Sequence, residues 1–211
     1  MTPTDPVRRA GGTSKLPRAR REELLLDVAT EEFGAVGYAG ASLGRIAERA
    51  GVSKALVLTY FGSKDGLYAA CAGRAGTNLI SRIEPVLAAP ARPPRDLAQA
   101  TLAAMFSGLE GRLHDWNVLN DRTVPPGAGA EVVRRMHRTI AAQASRGVAG
   151  LRDLTALQDP DDLAVLTEVW MSAVTAVVNW WLRHPDRSAA EMTARCERVL
   201  TAITAQGPRV S

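Results

Sequence analysis

Lys54, Ala55, Leu56 and Thr59 stand on one side of a short helical pattern, and their chemistry is that of base-edge recognition. A lysine in a helix's first turn can donate to guanine O6 and N7, and small apolar side chains can meet thymine methyls. The opposite side is apolar: Val57, Tyr60 and Phe61 recur at i, i+3 and i+4 and are expected to face inward. Ser53 stands where an N-cap belongs. An earlier helix carries Ile46, Ala47 and Ala50 on one face behind Ser42, its own N-cap. Gly51 can take the left-handed conformation that turns the chain between the two, with Val52 as a plug in the angle. Two short helices joined this way form a helix-turn-helix, which places its second helix in the major groove of double-stranded DNA. Ser63 then caps a long helix whose first residue, Lys64, lies where free backbone amides and the helix dipole favour a phosphate.

Other chemistry has weaker support. Gly40, Ala41, Ser42, Leu43 and Gly44 spell G-x-S-x-G, the nucleophile-elbow string of serine hydrolases. An elbow needs a strand-to-helix turn, and residues 22–40 are helical in pattern, so the string is read as chance. His114, His137 and His184 have no metal-ligand spacing, and Cys71 and Cys196 belong to no CxxC or CxxH pattern. No metal, no cofactor and no enzymatic activity is expected. Asp161 and Asp162 follow Pro160 as first-turn acids that suit the helix dipole.

These residues need elements to hold them, and the composition allows such elements. The chain has 211 residues, 46% hydrophobic and 23% charged, the balance of an ordinary globular protein with a real core. Its charge is uneven. Residues 1–21 hold six basic groups against Asp5, a net of +5, while residues 22–211 hold 20 basic and 21 acidic groups, a net of −1. Beside a helix-turn-helix such an arm suits phosphates or the minor groove. No apolar stretch follows it, so no secretory signal is expected, and the sparse cysteines suit the reducing cytoplasm. Leu163 to Leu182 contains one charge, Glu168, but Ser172, Thr175 and Asn179 interrupt it. It is read as a helix buried on two sides and not as a membrane span.

No segment alternates with period two, so the fold class is all-α, with about nine helices. Helices are expected over Arg18–Val36 (ended by Gly37), the two reading helices, Lys64–Ile83 (halted by Pro85), Arg95–Leu113, a short piece at His114–Asp121, Glu131–Leu157, Asp161–Arg183 and Ala189–Ala205. The expected organisation is a basic arm over 1–17, a helix-turn-helix domain over 18–67 and a larger helical domain over 68–211.

The stretch EEFGAVGYAGASLGRIAERAGVSKALVLTYFGSKDGLY resembles the tetracycline-repressor (TetR) family of bacterial regulators over about fifty residues. The resemblance implies a homodimer that binds a palindromic operator and is released by a small-molecule effector. It places Ser42 and Arg45 on phosphates, Lys54, Ala55 and Leu56 on base edges, and Tyr60 and Lys64 as backbone clamps. Ser53 and Thr59 complete the group. Two positions depart from the family: Ala55 stands where glycine is usual and Leu58 where tyrosine is usual, which removes a phosphate-bonding hydroxyl unless Thr59 replaces it. In the region of the family's pocket, Met105, Phe106, Trp116, Asn120, Met136, His137, Ile140, Trp170 and Met171 are the candidate lining, with His114, Asn117 and Leu119 nearby. The last two helices would form the dimer seam through Val174, Val177, Val178, Trp181, Val199 and Ile203. The implied function is a ligand-responsive transcriptional repressor; the alternative is a nucleoid-associated DNA-binding protein without an effector.

Overall fold

The computed structural model describes residues 17–152, 155 and 157–204, and among these every regular element is a helix. The basic arm expected over 1–17 lies outside them apart from Pro17. The order is α1 (Arg18–Gly40), α2 (Leu43–Arg49), α3 (Lys54–Phe61), α4 (Lys64–Ala88), α5 (Pro94–Leu109), α6 (Leu113–Leu119), α7 (Ala128–Ala149), α8 (Pro160–Leu182) and α9 (Ala189–Thr204).

Local chemistry sets the first three helices. Ser42 Oγ accepts from Gly44 N at 3.2 Å, Ser53 Oγ from Leu56 N at 3.1 Å and Ser63 Oγ from Gly66 N at 2.9 Å, so each expected cap is formed. Gly37 and Gly51 adopt φ of 72° and 65°, a region that costs most other residues free energy. The kink at Gly37 ends the straight part of α1, and one further turn carries the chain to Gly40.

Two cores result, and α4 runs through both. Leu25, Ala29 and Phe33 of α1 meet Ile46, Ala47, Ala50 and Val57 on one side and Leu67, Tyr68, Cys71 and Ala72 of α4 on the other. Further along, Ala75 and Leu79 of α4 join α5, α6, α8 and α9 through Phe106, Trp116, Val178, Trp181 and Met192. All three tyrosines lie in the first region, Tyr38, Tyr60 and Tyr68, and all four tryptophans lie in the second, Trp116, Trp170, Trp180 and Trp181.

Several helix ends differ from the sequence expectation. Pro85 does not halt α4, which continues to Ala88. The proline is exposed and lies in the last turn, so it frees one carbonyl on a wet face, while Ile83 and Leu87 keep the helix packed. Conversely, α5 stops at Leu109 because Gly111 turns the chain at φ 69°. α7 starts earlier than Glu131 and ends at Ala149, well before Leu157. Its start is set from a distance: Asp65 Oδ2 accepts from Ala128 N at 2.8 Å, and Asp65 Oδ1 from Gly129 N at 3.0 Å. α8 is the one helix among the described residues long and apolar enough to cross a membrane. In this fold its apolar side chains divide between the core, at Leu163, Val174, Val178 and Trp181, and an exposed face at Val165 and Val169.

Candidate nucleic-acid interface and interior cavity

α3 lies with Val57 fully buried and Tyr60 and Phe61 half-buried, which leaves Lys54, Ala55, Leu58 and Thr59 exposed. Leu56 is half-buried, so the outer face carries it only in part, and the exposed leucine is Leu58. In the sequence Leu58 marks only the absence of a hydroxyl. Thr59 does not replace that hydroxyl: its Oγ1 donates to Ala55 O at 2.9 Å, so the proton is spent within the helix. Ser42 and Ser53 differ from Thr59 here. Each accepts a backbone N–H through its oxygen, which leaves the hydroxyl proton available to a phosphate.

The cations around this face are positioned by aromatic rings and carboxylates. Lys64 Nζ sits 4.5 Å from the centroid of the Tyr38 ring, and the Arg18 guanidinium lies 5.3 Å from that of Tyr60. Arg18 and Tyr38 were not singled out from the sequence; their signal is their neighbours across the fold. Arg45 is less available than expected. Its Nε donates to Glu32 Oε1 at 2.7 Å and its Nη2 to Gly40 O at 2.7 Å, which ties α2 to α1. Arg49 pairs with Glu31 at 2.5 Å, so these two arginines brace the head. The G-x-S-x-G string falls between α1 and α2, with Ser42 as a helix cap and no strand before it, so no elbow is formed.

Besides α4, the head is joined to the rest of the molecule through α6 and the turn that follows it. Asn117 Nδ2 donates to Gly34 O at 2.9 Å, and Ala39 N donates to Thr123 Oγ1 at 3.1 Å. Tyr38 N donates to Asp121, and the Tyr68 hydroxyl to Val118 O. Burial pushes the Tyr68 hydroxyl far above the usual tyrosine range, with Asp121 and Cys71 adding to it, so it stays a neutral donor. α1 and α6 approach closely at Gly34, where an added Cβ would lie 2.6 Å from His114 Cβ.

Beyond α6 lies a cavity of about 110 Å³ between α4, α5, α7 and α8. Five of the expected residues line it: Met105, Trp116, Ile140, Trp170 and Met171. Four do not. Phe106 is wholly buried edge-on against Trp181, and Met136 is packed against Gly76. Asn120 Nδ2 donates to Trp116 O at 2.9 Å, and the residue borders a separate polar cleft beside α1. His137 is exposed, since one step along α7 from buried Met136 turns a side chain about 100°. The wall that sequence reasoning missed is supplied by Leu79, Ile83 and Leu87 of α4, Leu97 and Thr101 of α5, and Gln143 of α7.

The expected seam residues also separate. Val174, Val178 and Trp181 are buried in the chain's own core, and Val177 is half-buried. Their spacing of i, i+4 and i+7 forms the inward stripe of α8. The apolar residues left outside are Val165 and Val169 of α8, on the opposite side, and Val199 and Ile203 of α9. A groove of about 430 Å³ runs between α8 and α9, bordered by Trp170, Val177, Trp180, Val199 and Ile203.

Comparison with known proteins agrees with this geometry. Residues 25–71 match the family described as bacterial regulatory proteins, tetR family. Over 130 residues the chain is 35% identical to the HTH-type transcriptional activator FasR of Mycolicibacterium smegmatis, a match that covers 59% of each chain. It is 28% identical over 155 residues to the HTH-type transcriptional regulator BetI of Burkholderia cenocepacia, covering 64% of this chain and 80% of that one. A TetR-like transcriptional regulator from Rhodococcus sp. RHA1 has the same fold, with a TM-score of 0.70 over 92% of this chain and 100% of that one, at 23% identity. Residues 25–71 thus carry the region shared by the tetR family of bacterial regulatory proteins, and the chain as a whole has the fold of a TetR-like regulator.

Proposed function

We propose that this chain is a DNA-binding transcriptional regulator, working as a homodimer on a palindromic operator and released from it by a small molecule. The observation that carries the reading is α3, anchored by buried Val57 and presenting Lys54, Ala55, Leu58 and Thr59 to the outside in its first two turns. In this reading Lys54, Ala55 and the exposed edge of Leu56 meet base edges. Ser42, Ser53, Lys64 and the rim of Tyr60 hold phosphates. The pairing of Arg45 with Glu32 gives it a bracing role first, with its remaining N–H groups facing the backbone.

Val165, Val169, Val199 and Ile203 support a partner copy packing on α8 and α9. Two copies of α3 about 34 Å apart would reach successive major grooves. The cavity supports an effector and favours this reading over a nucleoid-associated protein, which has no use for one. At about 110 Å³ it is smaller than sites for drug-sized ligands, so a drug-sized effector either spreads its walls or extends through its mouth. Trp116 of α6 lines it, and the next residue, Asn117, bonds Gly34 of α1, which gives wall movement a short route to the head. A coupling of about 1–3 kcal/mol is the usual scale for such a link. Repression follows where the operator overlaps a promoter.

Operator sites recovered by genome-wide binding supply the duplex for the test. Lys64→Ala weakens binding to specific and random DNA alike and flattens the salt dependence by about one unit, whereas Leu56→Ala changes base preference. Fluorescence anisotropy against both duplexes reads each effect. Equal losses on both duplexes for both variants would contradict the assignment of α3.

A further inference from the structure

One polar group in the wall of the interior cavity is left without a partner. Gln143 of α7 is 2% exposed and forms part of that wall. Its Nε2 donates to Ile80 O at 3.1 Å and to Glu84 Oε2 at 2.7 Å. Glu84 is itself held by Arg146 at 2.7 Å, and the hydrogen bonds from Arg146 and Gln143 keep its carboxyl below the usual range, so it stays an acceptor. With acceptors at both ends of the nitrogen, the amide cannot be turned over. Its Oε1 is therefore fixed on the other side, buried and with no donor.

Nearby polar groups do not supply one. Thr101, also in the wall, donates its proton to Leu97 O at 2.8 Å, and Trp116 Nε1 donates to Asn179 Oδ1 at 3.2 Å. The rest of the wall between these groups is mainly aliphatic and aromatic. A buried acceptor without a donor costs free energy, which a ligand can recover by bringing the donor. Because Gln143 is part of the lining, a ligand seated in the cavity lies beside it.

We infer that the molecule taken by this cavity has an apolar body carrying a neutral hydrogen-bond donor, a hydroxyl or an amide N–H, that bonds Gln143 Oε1. The inference rests on the cavity being the effector site proposed above, and it adds the ligand's chemistry. Ethers and esters bring only acceptors to an acceptor, and a carboxylate adds repulsion from Oε1 and from the Glu84 charge behind it.

The test uses two probes with the same heavy-atom count, 1-decanol and methyl nonyl ether, titrated into the full chain. Trp116 and Trp170 in the wall report binding through their fluorescence. Decanol binds about fivefold to tenfold more tightly than the ether, the worth of one neutral hydrogen bond. In Gln143→Met, which keeps the side-chain length, the two affinities become equal. Equal affinities in the unaltered chain overturn the donor requirement and need no variant that must fold. Failure of both probes to bind overturns the cavity as a ligand site and the inference with it.

Discussion

The reading head and the cavity-bearing half are both helical, yet only the second adds remote partners to the local ones at its helix starts. In the head, Ser42, Ser53 and Ser63 each cap a helix by bonding an amide two or three residues away, and Gly37 and Gly51 turn the chain where they stand. The other half has local caps too, Asp159 Oδ1 accepting from Asp161 N at 2.8 Å and Ser188 Oγ from Glu191 N at 3.2 Å, but two of its helix starts are also held from afar. Asp65 caps α7, and Glu110 Oε1 accepts from Ala189 N at the start of α9 at 2.9 Å. Local signals set the ends of the head's helices, while its core is completed by α4 and by Val118 of α6. The second half's contacts run back through α6 to α1, so a change in its packing is not confined to it.

The contrast can be broken first at Val57, which has no exposed surface. Val57→Asp places an unpaired carboxylate in the first core, at a cost of about 3–5 kcal/mol, and operator binding is lost. Tryptophan emission stays at its native wavelength, because every tryptophan lies in the second half. A red shift equal to that of the unfolded chain would show that the halves fold as one unit. A smaller effect is expected at the seam between them. Gly34→Ala drives a Cβ to 2.9 Å from His114 Cα, a backbone atom that cannot swing aside, and lowers stability by about 1–3 kcal/mol in a thermal melt. An unchanged or higher Tm would mean that α1 and α6 have room to part. The smallest effect sharpens the point about remote caps. Asp65→Ala costs about 1 kcal/mol and speeds amide exchange in the first turn of α7 without touching its last turn. Uniform exchange along α7 would remove Asp65 as its cap.

What the sequence made legible follows the same division. Caps, the turn at Gly51 and the inward face of α3 could be read because helix period and short-range hydrogen bonding carry them. The orientation of α8 could not. A helix with apolar residues nearly all round has no polar stripe to mark the outside, so Val174, Val178 and Trp181 were expected on a partner and lie in the core instead. The cavity was half legible for a related reason: large apolar residues announce a core, and which of them border a void depends on how α4 and α7 meet. Gln143 gave no local signal, since its role is set by Ile80 and Glu84, about sixty residues earlier in the chain. The pairing of Arg45 is not legible either, because nothing in its immediate neighbours reveals that Glu32 is buried beside it.

α4 is unbroken from Lys64 beside the DNA-facing surface to Leu87 at the cavity wall. As a rigid rod of 25 residues it is about 37 Å long. Pivoting by about 10° around its midpoint, such a lever sweeps each end through roughly 3 Å, as much as two residues' rise along a helix. In the symmetric pair proposed above such displacements would add, and a modest bulge at the cavity end would become a mismatch with the groove spacing at the other.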